Sequence, residues 1–501
     1  MKATRSILIG LVSVAAALAA GHLVAGLVSP LASPFLAVGN TAIDLTPHPV
    51  KDFAIRTFGE NDKVVLLAGM AVVLIALGVV AGLLSRRSPW PGTALAGALG
   101  LLGVAAVLAR PTSTTWAVLA PLASLVVGVA AFRWLWARAP AAAPAQDRRR
   151  FLISTAAIAA GAGVAAAGGQ FLAGRVDVEA SRRGITLRPG QKAPEIPFGA
   201  DFAREGTPPF LTPNEKFYRV DTALSIPRLR AEDWRMRVHG MVDNEMVLTY
   251  DDLLRRPLVE KTITLVCVSN EVGGPYISTS NFIGVDLAEL LREAGVRPGA
   301  DQLATRSVDG WTCGTPVASI MAPGSNALLA VGMNGEPLPL ERGFPVRMVV
   351  PGLYGYVSAT KWLVDMELTT FDAFDPYWAE RGWAKKAPVK VMSRIDRPKS
   401  FERVPVGRFV VAGIAWAQHL GVDKVEVRVD GGPWQQATLA TEVNVDTWRM
   451  WRVELDLPEG NHTVECRATD RNGYTQTNER AAPIPDGATG WHSMVFTSVA
   501  G

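Results

Sequence analysis

Five long apolar stretches before residue 175 constrain this chain more than any other feature. Residues 6–29, 64–84, 91–109, 111–132 and 151–174 carry no charged side chain, and each is long enough to cross a bilayer as a helix. A helix satisfies its own backbone groups, so it is the form such a run takes in hydrocarbon. Basic residues then set orientation. Lys2 and Arg5 precede the first stretch, Arg86 and Arg87 follow the second, and Arg133, Arg138 and Arg148–Arg150 lie between the fourth and fifth. Five crossings put all of these on one side. Across the membrane, Lys51, Arg56 and Lys63 are diluted by Asp52, Glu60 and Asp62. The expected topology is a multi-pass protein of a bacterial cell membrane, N-terminus inside, with everything after residue 175 on the extracytoplasmic face.

The fifth stretch has its own signature. "DRRRFLISTAAIAAGAGVAAAGG" pairs Arg148–Arg149 with Phe151–Leu152, then continues in alanine and glycine rather than leucine. Residues 147–174 resemble a twin-arginine segment, which implies the export machinery that moves folded, cofactor-loaded proteins. Three arginines acting only as a topological anchor are the plainer alternative.

Composition removes several function classes. A net charge of +4 over 501 residues leaves no nucleic-acid footprint. Three cysteines, at 267, 313 and 466, exclude a disulfide scaffold and cysteine-ligated clusters. No Cys-x-x-Cys-His is present, His22 is the one histidine inside a span, and His48 falls in a loop. No haem is expected, so the membrane region reads as an anchor or docking surface.

Beyond the helices the organisation changes twice. Residues 1–175 form the membrane region, 176–212 a Pro- and Gly-rich linker, 213–387 a mixed α/β domain, and 388–501 an all-β domain. In the mixed domain, "WRMRVHGMV" and "VEKTITLVCV" carry strand propensity. "DLAELLREAGV" is a helix with Asp286 as N-cap and Gly295 as stop. After residue 388, "KVEVRVDGGPW" and "RMWRVELDLPEGNHTVECRATDRNGY" alternate apolar and polar residues around turn signals, the pattern of an immunoglobulin-like sandwich. Cys466 shares the inward face with Val464 and Ala468 and reads as core.

Cys267 is the harder case. A run of β-formers, "TLVC", ends in a lone cysteine followed by a glycine-broken turn. Such a thiol is a packed hydrophobe, a metal ligand or a nucleophile. His239, the histidine nearest in sequence, sits in an alternating strand that favours a core role. Cys313 could in principle oxidise with Cys267, but packing beside Trp311 is expected.

From residue 210 to 501 the chain resembles the sulfite oxidase family of molybdenum enzymes. "TPNEKFYRVD", "TLVCVSN" with "FIGVDLAELLREAGV", "MNGEPLPLERGFPVRMVVPGLYGYVSATKWL" and "GWHSMVFTSV" carry the resemblance in the family's order. It implies molybdenum held by one molybdopterin, a pyranopterin dithiolene, and by the thiolate of Cys267. Soft thiolates suit such a metal. By position it also implies cofactor contacts from Arg219, Asn270, Arg342, Arg347, Ser358, Thr360 and Lys361. The all-β domain resembles the family's dimerisation domain, which implies a homodimer; anchored monomers are the alternative.

Departures from the family pattern bear on substrate. Where sulfite oxidisers continue with two arginines after Cys-x-x-Asn, this chain has Glu271 and Val272. Trp383 stands where the family has its active-site tyrosine, Phe282 replaces a tryptophan, and Asp221 occupies a usual histidine position. A dianion beside Glu271 is electrostatically unfavourable. The expectation is oxo transfer on a small neutral or cationic substrate other than sulfite, with Arg381 and Trp383 in its pocket. Against this enzyme stand a non-catalytic anchored binding protein of the same fold and an integral electron carrier.

Overall fold

The computed structural model describes residues 2–29, 32–47, 50, 53–54, 57–58, 61–110, 115–139, 145–174 and 177–500. His48, Lys51, Asp52, Arg56 and Glu60, used above for haem and topology, lie outside the described residues. The chain divides into two compact units, residues 1–177 with 222–227, and residues 178–221 with 228–501.

Among the described residues, the first unit holds five helices long and apolar enough to cross a membrane: Ala3–Val28, Lys63–Leu84, Trp90–Leu108, Trp116–Ala137 and Arg149–Leu172. Small residues bring them close. A Cβ on Gly10 would sit 1.9 Å from Gly78 O, and one on Gly82 would sit 2.0 Å from Ser6 O, so the first two spans run antiparallel. Phe151 packs with Ile9 and Val12, while Gly169 lies against His22, so the first and fifth run parallel. Lys2, Arg5, Arg86, Arg87, Arg133, Arg138, Arg149 and Arg150 therefore gather at one end of the bundle. The fourth span continues past residue 132. Its Arg133 lies 5.0 Å over Trp90 and Arg138 lies 3.8 Å over Trp134, a way for long cations to stay at a helix end beside apolar surface. An additional helix, Pro34–Leu45, was not legible in the sequence, because its twelve residues are too short to stand out as a span. It starts on proline, and Asp44 near its end pairs with Arg110 at 3.2 Å.

In the second unit, residues 178–221 are a strap rather than a free linker. Arg182 bonds Pro337 O and Leu338 O, and the amides of Gly190 and Glu260 knit residues 190–191 to the strand beginning at Leu258. The mixed domain has two five-stranded sheets. In one, Arg235–Gly240 pairs parallel with Leu363–Thr369, flanked by Met246–Thr249 and by Gln302–Ser307 with Thr312–Pro316. In the other, Leu258–Val266, Ile277–Asp286 and Leu328–Met333 lie side by side, with Glu336–Pro337 and Arg347–Val349 added. Helix Leu287–Ala294 starts as expected: Asp286 accepts from the Glu289 amide, and Gly295 ends the helix at φ +71°.

The all-β region is a four-stranded and a five-stranded sheet around a common core of Val411, Val425, Val427, Trp451, Val464, Cys466 and Phe496. Its two long alternating runs are not a hairpin. Arg449–Leu457 joins the sheet of Gly407–Trp416, whereas Gly460–Asp470 joins the sheet of Val422–Val429. Both have one buried face, and alternation is identical whichever sheet receives it.

Candidate functional site

Strand Leu258–Val266 stops one residue short of Cys267, which begins a tight loop. Cys267 N donates to Tyr276 O at 3.0 Å, Asn270 N donates to Cys267 O at 3.0 Å, and Asn270 Oδ1 accepts from Tyr276 N at 2.8 Å. The loop is thus closed on itself with the thiol buried at 8% exposure. Burial pushes that thiol above its ordinary value; hydrogen bonds from Ser269 and the charge of Lys361 oppose the push.

Lys361 acts on this thiol directly, and Tyr218, which feels Cys267, also feels two almost wholly buried cations, Arg342 and Arg347. Arg342 donates to Asn214 O and Tyr218 O at 3.1 and 3.0 Å. Arg347 donates through Nη1 to Arg342 O at 3.2 Å, while its buried Nε has no hydrogen-bond partner. The Arg347 guanidinium lies 5.7 Å over Phe282. Burial pulls Arg347 down to about 10, with Tyr218 opposing and Arg342 adding to the fall. Lys361 Nζ reaches Asp221 Oδ2 at 2.8 Å and Glu341 O at 3.3 Å. Burial lowers Lys361 to about 8 despite Asp221, with Arg347 and Arg219 adding to the fall. Tyr218 ties the groups together: burial and then Cys267 push its phenol up, while Arg347 and Arg342 pull it down.

Buried cations are costly unless an anion shares their space. Besides Asp221, Asp309 feels this cluster through Lys361, and is itself pushed up by burial, then by Asp221. Two guanidiniums, one ammonium and an unpartnered Nε beside a soft sulfur suit a polyanionic, thiolate-ligated group. The residues present therefore fit a phosphate-bearing molybdenum cofactor.

The other anticipated residues divide. The hydroxyls of Ser358 and Thr360 are committed inside the protein, Ser358 to Leu353 O and Tyr354 O at 3.1 Å, Thr360 to Thr305 Oγ1 at 2.6 Å. Asn270 spends its carbonyl oxygen on the loop. Arg219 reaches Asp221 at 2.9 Å. Arg381 stacks 3.7 Å over Tyr377 and donates to Tyr377 O. Trp383 packs 5.7 Å from Tyr356 and 6.0 Å from Trp378, and its buried Nε1 has no hydrogen-bond partner. Glu271 is exposed. His239 is not a core residue: it is half-buried and faces Asp365 at 3.1 Å. Cys313 and Cys267 are both free thiols.

Sequence reasoning missed Tyr218 and Asp309 and undervalued Asp221. Tyr218 and Asp221 flank Arg219 in "FYRVD", so the signal was present. Asp309 sits in an Asp-Gly turn that looks like any surface hairpin, and only folding buries it.

The family model of the oxidoreductase molybdopterin binding domain matches residues 223–378. Human mitochondrial sulfite oxidase is 31% identical over 325 residues, covering 55% of this chain and 58% of that protein. Inducible NADH nitrate reductase 2 of Glycine max is 29% identical over 330 residues, covering 53% of this chain and 37% of that one. The chain thus spans little more than half the length of the human relative. Among solved structures, the sulfane dehydrogenase SoxCD of Paracoccus pantotrophus superposes with a TM-score of 0.51 at 22% identity. That alignment covers 64% of this chain and 92% of that one, a likeness of fold.

Proposed function

The chain belongs to the sulfite oxidase family of molybdopterin oxidoreductases, and on that premise we propose a membrane-anchored, outward-facing enzyme performing oxo transfer on a small substrate other than sulfite. The observation that carries this reading is a buried thiol, Cys267, that feels Lys361 directly and shares Tyr218 with the buried Arg342 and Arg347, whose Nε is left unpartnered. Cys267 would ligate molybdenum through its sulfur. Arg342, Arg347 and Lys361 would hold the pterin phosphate by charge-assisted hydrogen bonds. Asn270 would hold the cysteine loop, and Ser358 and Thr360 would stiffen the segment leading to Lys361 rather than touch the cofactor with their hydroxyls. Bound there, the molybdenum centre supplies two-electron oxygen-atom transfer.

The protein's own part is access and charge. Tyr356, Trp378 and Trp383 form an aromatic wall that, with Arg381, would border the substrate. The aromatic wall and, in the cysteine loop, the exposed carboxylate of Glu271 would both favour a neutral or cationic substrate. In the oxidising direction, oxygen comes from water, and two protons and two electrons leave, the electrons to a separate partner. The helices would anchor the enzyme with their basic ends in the cytoplasm. The twin-arginine segment would be retained as the fifth span, and the immunoglobulin-like sandwich would serve homodimer contacts.

Metal analysis by mass spectrometry on detergent-purified protein tests this. About one molybdenum per chain, lost in Cys267→Ser, is expected. No molybdenum in protein from a cofactor-competent host would overturn the enzyme and leave an anchored binding protein.

A further inference from the structure

Asp221 is a single carboxylate, 6% exposed at its side chain, that carries two cations at once: Arg219 Nε at 2.9 Å and Lys361 Nζ at 2.8 Å. Those two cations differ from the buried guanidiniums. Arg342 and Arg347 spend N–H groups on backbone carbonyls, whereas Arg219 and Lys361 share an anion, Lys361 with a further bond to Glu341 O. Arg219 is also the most open of the four, with about a third of its side chain exposed. An arginine and a lysine sharing one carboxylate present half the net charge of the same pair without it. Their N–H groups are also partly used, so a small anion arriving there must compete with Asp221 for both.

We propose that Asp221 is the specificity-determining residue of this site: by pairing Arg219 and offsetting the charge of Lys361 beside the cofactor, it denies small dianions Arg219 as a cationic seat and reserves the site for uncharged or cationic substrates. This rests on the site being the place of reaction. It goes beyond the Glu271 argument, because Glu271 is exposed and screened by water, whereas Asp221 acts from inside at hydrogen-bond distance.

The test uses sulfate as a non-oxidisable dianion on the full-length, cofactor-loaded protein. Sulfate affinity is read as a concentration-dependent rise in apparent melting temperature against chloride at equal ionic strength. Removing a negative charge beside a bound dianion changes affinity by at least about tenfold at an effective dielectric near 20. Asp221→Asn should therefore bind sulfate at least about tenfold more tightly than wild type, and Asp221→Glu should resemble wild type. The gain should vanish in the Asp221→Asn, Arg219→Gln double variant. Affinities within twofold in wild type and Asp221→Asn would overturn the proposal, as would a gain that persists without Arg219. Should Asp221→Asn fail to fold, Arg219→Gln alone decides: it should leave wild-type sulfate affinity within twofold, because Arg219 is already committed, and a tenfold loss would refute the assignment. The sulfate titration reads charge, not turnover. A protein without molybdenum would sink the oxidoreductase reading on metal analysis while this comparison stayed interpretable.

Discussion

Replacing Arg347 with methionine should make the cofactor-free protein more stable and the loaded protein less able to keep its cofactor. Arg347 is buried, and burial lowers its guanidinium well below its ordinary value, to about 10. At about 1.4 kcal/mol per unit, the charged form carries a cost on the order of 3 kcal/mol when no anion is bound. Methionine keeps the apolar stem and removes that cost. Against it stand the lost bond to Arg342 O, about 1 kcal/mol, and the lost contact over Phe282, about 0.5–1 kcal/mol. The balance is a stabilisation of about 1 kcal/mol, a rise of roughly 2–4 °C in apparent melting temperature. The assay is a thermal melt of protein from a host unable to make the pterin, paired with molybdenum content from a competent host. A cofactor-free Arg347→Met protein that melts below wild type would refute the reasoning, because Arg347 would then be a structural cation already compensated. Unchanged molybdenum content would refute the phosphate role.

Three further outcomes follow from the same geometry. Lys361, lowered to about 8, should lose its charge as pH rises through that value, so cofactor retention after dialysis should fall above about pH 8 in wild type and be flat in Lys361→Met. His419 faces acceptors at both ring nitrogens, Asp446 at 2.7 Å and Pro351 O at 3.0 Å, and the Asp446 bond raises it above 6.5. A raised folded value means a contribution complete below pH 6.5 and lost as pH climbs through that higher value. Melts across this range should show a slope that His419→Gln removes. Gly352 has φ +76°, and a Cβ there would sit 2.3 Å from the His419 ring. Gly352→Ala should cost at least about 2 kcal/mol and lower the melting temperature.

Legibility followed the range of the interactions. The helix Leu287–Ala294 was readable because its cap, face and stop lie within ten residues. Cys267, Arg342, Arg347 and Lys361 were nameable because their motifs are local; in the fold Lys361 acts on the thiol and both arginines act on Tyr218, which also feels it. Tyr218 was missed and Asp221 undervalued although both flank Arg219, because the other cations they meet lie far away in sequence: Lys361 is 140 residues from Asp221. Ser358 and Thr360 sit among the anticipated cofactor residues in sequence, yet their hydroxyls turn inward, a rotamer choice that no spacing reveals.

By itself, then, the sequence determined the apolar spans, their basic ends, the alternating strands and the presence of a cysteine loop beside a basic motif. Each is set by neighbours within a few residues, or by the unbroken apolar length of a segment. Only the tertiary structure decided which sheet each alternating run joins, that the strap from residue 178 is packed rather than free, and which cations are neutralised. Those outcomes depend on burial, and burial is a property of groups that meet from opposite ends of the chain.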